Sequence, residues 1–344
     1  MNARNKLLAA VFALLFIAVM VVEQPWRGDA HARTHAATLR MFPDLVQHDG
    51  IGRVRIQSAE HSTTISRILD QGKPRWVVRE LWDHPADLQR VSSLIESMRA
   101  LQTRDIESVN PEMQDAYEVG LDTGVRVEVW DQDGELLADV VAGAMRSQDV
   151  TAGQTAVFEF YVRPTASNVV YRTGEFSVPY TDPSDWSDSH FLSQVLPEQV
   201  HSLQRIDGDG DESWQLIRRP DWTPPTAEQA ETGLEGSGKW EMVAPDATLV
   251  PNFVGDSWVH TLTGLRAESV LGLLSDPATA ARLGTVTDVI RAGIGGEEIE
   301  IHIGRPAGSE LRSAKVIGLP HLYALAEFDV DQLLQSVEKM RRVD

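Results

Sequence analysis

The chain has 344 residues, of which 42% are hydrophobic, enough for a packed core and more than one average domain. Acidic residues outnumber basic ones by 51 to 31, and the net charge of −20 disfavours binding to nucleic acid phosphates. The chain has no cysteine, which excludes disulfides, thiolate metal sites and a cysteine nucleophile.

The N-terminal segment predicts a membrane anchor. An uninterrupted apolar run begins at Leu7 and ends at Val22, and the basic residues Arg4 and Lys6 precede it. This positive flank predicts a cytoplasmic N-terminus and a body outside the cytoplasm. The run is short for a transmembrane helix, so a cleaved signal peptide is the alternative. No small residues typical of a cleavage site directly follow the run, which favours an uncleaved anchor within residues 1–24 and a tether over residues 25–40.

The rest of the chain predicts two copies of one unit, over residues 41–183 and 184–344. Three apolar residues recur at a constant spacing of 149, namely Phe42, Ile51 and Val54 as Phe191, Val200 and Leu203. Trp76 recurs as Trp240 at a spacing of 164, which implies a 15-residue insertion in the Pro-rich segment of the second copy. Insertions belong in loops, so the two spacings are compatible.

Later matches extend the repeat to the C-terminus. The alternating segment around Val127 is matched with that around Ile301, at a spacing of 174. Tyr171 is matched with Tyr323 at a spacing of 152. Gly143 is matched with Gly318 at a spacing of 175, and the fall from 175 to 152 assigns 23 extra residues to the first copy, interpreted as an added loop and strand.

Each copy predicts, in chain order, two strands, a helix and three further strands. Alternation in VRVEVW and EIEIHI is typical of strands with one buried face, and Asp133-Gly134 predicts a hairpin turn. Apolar residues three or four apart predict a helix near residues 86–101 in the first copy and 251–265 in the second, and a closing helix after Asp329. The pattern predicts an α+β fold with antiparallel sheets and a helix on one face of each.

Several features of the chain occur together in one known family: the N-terminal apolar segment, the pattern FP-x-L-x3-D-x-I-x-R-V-x-I from Phe42, the Trp76 strand, the helix after it, Ala142-Gly143 and Asp185-Trp186. In these features the chain resembles the bacterial DUF4340 family, which has no assigned activity. The resemblance implies a component of the bacterial inner membrane with a periplasmic body, often encoded beside ABC-transporter subunits of the type linked to gliding motility or export. It implies no catalytic or ligand-binding residues.

Three short motifs invite a chemical interpretation that their context opposes. The segment GLEGSGKW fits a phosphate-binding loop except that Trp240 replaces the hydroxyl residue and a strand follows. The segment DGDGDE from Asp207 offers calcium ligands, but lacks the second half of such a loop, so an Asp-Gly hairpin turn is favoured and a weak calcium site is the alternative. Ser336 and Lys339 match a penicillin-binding motif without its partners. We expect no catalytic residues, cofactor or metal.

Tryptophan supplies the one candidate site. Four tryptophans lie in or beside the second copy, and they form a candidate exposed patch for a protein partner: Trp186, Trp214, Trp222 and Trp258.

Three functions are compatible with the sequence. The favoured one is a membrane-anchored, non-enzymatic accessory or scaffold that binds protein partners of a transporter or export assembly. A ligand-binding module that takes a sugar, peptide or lipid in a cleft between the two copies is the first alternative. An uncharacterised hydrolase is the second, and it needs a cluster of acid, base or nucleophile that spacing does not reveal.

Overall fold

The computed structural model describes residues 40–70, 72–147, 158–192, 195–208, 213–220, 239–305 and 312–334. The apolar run that ends at Val22 lies outside these residues, as do Trp222, Ser336, Lys339 and residues 209–212 of the acidic motif. No helix in the described part of the chain is long and apolar enough to cross a membrane.

Two antiparallel sheets of nine strands each dominate the fold, with few helices. The first contains β1 (Ile51–Gln57), β2 (Ser62–Asp70), β3 (Lys73–Val78), β4 (His84–Pro85), β5 (Ile106–Ser108), β6 (Val125–Asp131), β7 (Leu136–Ser147), β8 (Phe158–Pro164) and β9 (Val170–Thr173). The second contains β10 (Val200–Asp207), β11 (Trp214–Arg218), β12 (Trp240–Ala244), β13 (Thr248–Val250), β14 (Ala267–Leu273), β15 (Thr285–Ile294), β16 (Glu297–Arg305), β17 (Arg312–Val316) and β18 (His321–Leu325).

The strand order is the same in both sheets. The first runs β4-β3-β2-β1-β6-β7-β8-β9-β5, and the second runs β13-β12-β11-β10-β15-β16-β17-β18-β14. Each strand of one sheet therefore has a counterpart at the same place in the other. This shared topology is the architecture expected of a duplicated unit.

The topology corrects one part of the repeat alignment. The counterpart of β6 is β15, because Val129 of β6 pairs with Val54 as Ala292 of β15 pairs with Leu203. The match of Val127 with Ile301 is wrong, since Ile301 belongs to β16, the counterpart of β7. The interpretation of β8 as an added strand is also wrong, because β17 is its counterpart.

The two misassigned strands look alike in sequence, yet a turn signal separates them. Gly295 and Gly296 both have positive φ, at 58° and 94°, and they join β15 to β16 where Ile294 pairs with Glu297. A two-residue turn with two positive φ values favours glycine. The predicted turn at Asp133-Gly134 is confirmed, with Gly134 at φ 88° and the Asp131 carboxylate accepting the N–H groups of Asp133 and Glu135.

Within the described residues, five helices accompany the sheets: α1 (Pro43–Gln47), α2 (Leu88–Ala100), α3 (Asn252–Thr263), α4 (Pro277–Ala281) and α5 (Glu327–Leu333). The Asp87 carboxylate caps the N-terminus of α2 by accepting the N–H groups of Gln89 and Arg90. The closing helix begins two residues before the predicted Asp329, and no side chain caps it.

Two compact units divide the chain. The first comprises residues 1–61 and 92–181, and the second comprises Ser62–Val91 and residues 182–344. This division differs from the predicted boundary between residues 183 and 184, because β2, β3 and β4 belong to the second unit. In that unit, one apolar core joins the inner faces of the second sheet to α3 and α5, through residues such as Leu203, Ile303, Leu262 and Leu333.

Candidate functional site

A cleft in the second compact unit is the candidate site. Its volume is about 820 Å³. It is lined by residues from three segments of that unit: Arg67, Lys73, Arg75, Trp82, Asp83, His84 and Leu88; Asp188, His190 and Phe191; and Leu319, His321 and Tyr323. The cleft therefore combines aromatic, imidazole and charged groups.

Trp82 lies in an unusual backbone conformation beside the cleft. A 3-10 turn (Arg79–Leu81) ends at Trp82, and both Trp82 and Asp83 have positive φ, at 54° and 60°. Asp tolerates this left-handed region, whereas a bulky residue is disfavoured there by roughly 1–3 kcal/mol. The side chain of Trp82 is nevertheless 46% exposed. Such an exposed aromatic residue on a strained backbone marks a functional candidate.

Side chains on both sides of Trp82 fix the turn. The carboxylate of Glu80 accepts the main-chain N–H of Thr64 at 2.8 Å, which joins the turn to β2. The guanidinium of Arg79 lies 2.7 Å from the carboxylate of Asp83. The carbonyl of Trp82 in turn accepts a hydrogen bond from Nε2 of His321 at 3.0 Å. The strained conformation is thus held by contacts on both sides of Trp82 in the chain.

The hydrogen bonds of the two buried histidines define their tautomers. His84 Nδ1 lies 3.0 Å from the carbonyl oxygen of Pro85, which also accepts the N–H of Asp188 at 2.9 Å. Because a carbonyl oxygen only accepts, His84 carries its proton on Nδ1 and His321 carries its proton on Nε2. His84 Nε2 and His321 Nδ1 are then the acceptor nitrogens of the pair.

Aromatic contacts join the two histidines to Tyr323 and Phe191. The rings of His84 and His321 meet edge to face with centroids 5.0 Å apart, and Tyr323 lies 5.7 Å from His84 in the same manner. Phe191 packs on Tyr323 at 4.7 Å. Both histidines and Tyr323 are buried, so the base of the cleft is a rigid aromatic layer.

Burial keeps the titratable groups of this layer neutral. It lowers the pKa of His84 to about 4, with a further lowering from the nearby His321. Burial likewise lowers the pKa of His321. Burial raises the pKa of Tyr323 to about 12, and the carboxylate of Asp188 acts in the same direction. At neutral pH the base of the cleft therefore carries no charge of its own.

The structure does not support the predicted tryptophan patch. Trp186, Trp214 and Trp258 are between 1% and 4% exposed, so as an exposed partner surface the prediction is wrong for these three. Trp214 and Trp258 pack edge to face with ring centroids 4.4 Å apart inside the apolar core. Their large rings bury more apolar area than a surface position allows. Trp222, the fourth member, lies outside the described residues.

The phosphate-loop motif has a structural role at its described end. Trp240 is a fully buried first residue of β12, as the strand interpretation predicts. Asp256 on α3 accepts hydrogen bonds from Lys239 Nζ at 2.7 Å and from Trp240 Nε1 at 3.0 Å. Although burial acts to raise it, these two bonds lower the pKa of Asp256. Lys239 is therefore an ion-pair partner of the helix.

Comparison with known proteins gives a family and no characterised relative. The model of a domain of unknown function, DUF4340, matches residues 76–285. The chain belongs to the DUF4340 family. No curated protein and no solved structure matches it. The matched range of this DUF4340 protein includes Trp82, His84 and Asp188, whereas His321 and Tyr323 follow it.

Sequence reasoning misses the cleft of this DUF4340 protein. The duplication gives no signal, because neither histidine recurs in the other copy. The register of β4 and β13 makes Thr248 the equivalent of His84. The register of β9 and β18 makes Val169 the equivalent of His321. The described residues contain no group of three or more His, Asp or Glu side chains placed to hold a metal ion. The sequence itself offers only the adjacent pair Trp82-Asp83, whose exposed aromatic ring the structure reveals, and this signal is weak on its own.

Proposed function

We propose that this DUF4340 protein is a non-enzymatic binding protein of the envelope, and that the cleft is its recognition site. One observation carries the proposal: an 820 Å³ cleft in which Trp82 is 46% exposed although its backbone is strained. The volume falls in the range of roughly 300–1,000 Å³ typical of ligand sites. Backbone strain of this kind persists only where the surrounding structure holds it, and it is concentrated at functional sites.

The location and partners extend this proposal. The apolar run from Leu7 to Val22 supports a single anchor in the inner membrane with the body in the periplasm. An anchored binding protein fits an accessory role in a transporter or export assembly. Its cleft, rather than a tryptophan patch, is then the surface by which it recognises what the assembly handles.

A hydrolase is the second candidate, because the cleft gathers His84, His321, Tyr323 and Asp188. The direction of their pKa shifts opposes acid–base catalysis, which works best with a pKa near the operating pH. His84, with a pKa of about 4, is a weak base, and Tyr323, with a pKa of about 12, is a weak acid. Neutral hydrogen-bonding groups suit recognition better than proton transfer.

Site-specific photocrosslinking in the native envelope tests the binding role. A photoreactive amino acid in place of Leu88 or Leu319, which line the cleft and are 57% and 40% exposed, captures the bound species. The same amino acid in place of Ile106, 60% exposed and in the other unit, is the control. We expect one defined adduct, identified by mass spectrometry, at both cleft positions and not at the control. Adducts of equal yield at all three positions, or none at the cleft, overturn the proposal.

A further inference from the structure

The carboxylates of the cleft have partners within the described part of the chain, whereas two of its cationic side chains do not. Each of its three carboxylates is engaged by a neighbouring group. Asp70 lies 3.2 Å from Arg75. Asp83 lies 2.7 Å from Arg79, and Asp188 accepts the main-chain N–H of His190 at 3.1 Å. The carboxylates are therefore committed to contacts inside the protein.

Two cations of the cleft have no such commitment. Arg67 on β2 and Lys73 on β3 line the cleft and are exposed, and the side chain of neither has an ion-pair or hydrogen-bond partner within the described residues. The chain as a whole carries a net charge of −20, so free cations in a cleft are contrary to its average character. Local positive charge at a concave site favours an anionic ligand, since low-dielectric walls strengthen the attraction.

The apolar residues that line the cleft favour an apolar part in the ligand. Trp82, Leu88 and Leu319 expose apolar surface to the cleft, and Phe191 contributes a further aromatic ring. Aromatic side chains favour flat or apolar partners through offset stacking. His84 and His321 are buried and neutral, so Arg67 and Lys73 are the groups that recognise charge.

We propose that the cleft binds a small organic anion in which a carboxylate, phosphate or sulfonate group is joined to a planar apolar body. Arg67 and Lys73 contact the anionic group, and Trp82 stacks on the planar body. The inference rests on the proposed binding function and narrows its ligand class. The overall charge of −20 repels a polyanion, which favours a compact ligand with one or two charges.

A matched pair of probes tests the ligand class in the full-length protein in zwitterionic nanodiscs. Naphthalene-2-sulfonate carries the anion and the planar body, and neutral naphthalene-2-sulfonamide has nearly the same shape. Titration followed by ligand-observed NMR, with empty nanodiscs as the blank, gives both dissociation constants. We expect the sulfonate to bind about tenfold more tightly, the scale of one or two charge-assisted hydrogen bonds. Added salt weakens sulfonate binding only.

Two variants assign the binding to the cleft. The double variant Arg67→Gln with Lys73→Gln is expected to bring the two probes within about twofold of each other. Arg146→Gln with Lys315→Gln is the control, since it changes the net charge equally at positions away from the cleft. Trp82→Ala weakens both probes. Far-UV circular dichroism and thermal unfolding verify that each variant is folded.

The outcomes separate the ligand class from the binding role. Equal affinity of wild-type protein for the two probes, or a sulfonate preference that survives in the double variant, overturns the anion proposal. The binding role stands in that case if the crosslinks at Leu88 and Leu319 form. Failure of both probes to bind also overturns the anion proposal, and absent crosslinks at Leu88 and Leu319 overturn the binding role on which it rests.

Discussion

His321 donates its Nε2–H to the main-chain carbonyl of Trp82 at 3.0 Å, across 239 positions of the chain. The bond joins the first residue of β18 to the strained turn beside the cleft. It is therefore a direct link between the strained backbone of the site and the strand next to the edge strand β14 of the second sheet.

Removing this donor should loosen the turn. In His321→Leu the carbonyl of Trp82 loses its partner, and we expect a loss of about 1–3 kcal/mol in the free energy of unfolding. His321→Gln places an amide donor near the position of Nε2 and should retain most of that stability. Urea unfolding gives both values, and limited proteolysis reports the turn directly. Equal proteolysis of the Leu and Gln variants would contradict the role of the hydrogen bond.

The buried His84 should make stability depend on pH. Its pKa is about 4 in the folded protein, below the ordinary value of 6.5 that the unfolded chain retains, so the unfolded chain binds this proton first as pH falls. The stabilisation is complete above pH 6.5 and is lost as pH falls to about 4, for a total of about 3 kcal/mol. His321, whose pKa burial also lowers, contributes in the same direction.

Two single variants isolate that contribution. His84→Gln cannot titrate, so urea unfolding between pH 6.5 and pH 4 should show a shallower loss of stability than in the wild type. His61→Gln, at an exposed position, is the control for replacing a histidine by glutamine. An unchanged slope in His84→Gln would show that other groups cause the acid sensitivity.

The two repeats differ at a buried ion pair, which makes one copy a control for the other. Arg205 and Asp288 lie 2.9 Å apart and are 6% and 4% exposed. The equivalent residues of the first sheet are Ile56 and Val125, as the registers of β10 with β15 and of β1 with β6 show. The same place in the fold is therefore ionic in one copy and apolar in the other.

Replacing the ion pair by the apolar pair of the first sheet should separate the effect of charge on stability from the effect of packing. Arg205→Ile alone leaves Asp288 buried without its guanidinium and should cost about 3–5 kcal/mol in the free energy of unfolding. Arg205→Ile with Asp288→Val should recover most of that loss, because an apolar pair of similar volume often replaces a buried ion pair without cost. Urea unfolding of the two variants gives the comparison, and a double variant as unstable as the single one would refute the argument.

The sequence predicts strands well and their partners poorly. Alternation reveals β6 and β16 because one face of each is buried, but it does not say where a strand lies in its sheet, so it matches β6 to β16 instead of β15. Gly295-Gly296 marks the hairpin that resolves the match. Topology then follows from hydrogen bonding between strands, which a single sequence does not contain.

Burial of tryptophan is a second limit of sequence reasoning. Trp214 falls on the repeat position of Ile65, which is fully buried, so the duplication itself indicates a core role. The exposed tryptophan of the site, Trp82, has no such counterpart signal. Sequence reasoning does not find the cleft because Trp82, His84 and His321 meet only through the tertiary fold.

The strained backbone at Trp82 should reverse the usual order of stability, in which an alanine variant is more stable than a glycine variant. Both Trp82→Ala and Trp82→Gly lose the same ring, but alanine keeps a Cβ atom that the left-handed region at φ 54° disfavours. Trp82→Gly should therefore be more stable than Trp82→Ala by about 1 kcal/mol. At Trp258, within helix α3, the order should be the usual one, with Trp258→Gly less stable than Trp258→Ala by about 1 kcal/mol. Urea unfolding of the four variants measures both differences, and the same sign at both positions would show that Trp82 is not strained.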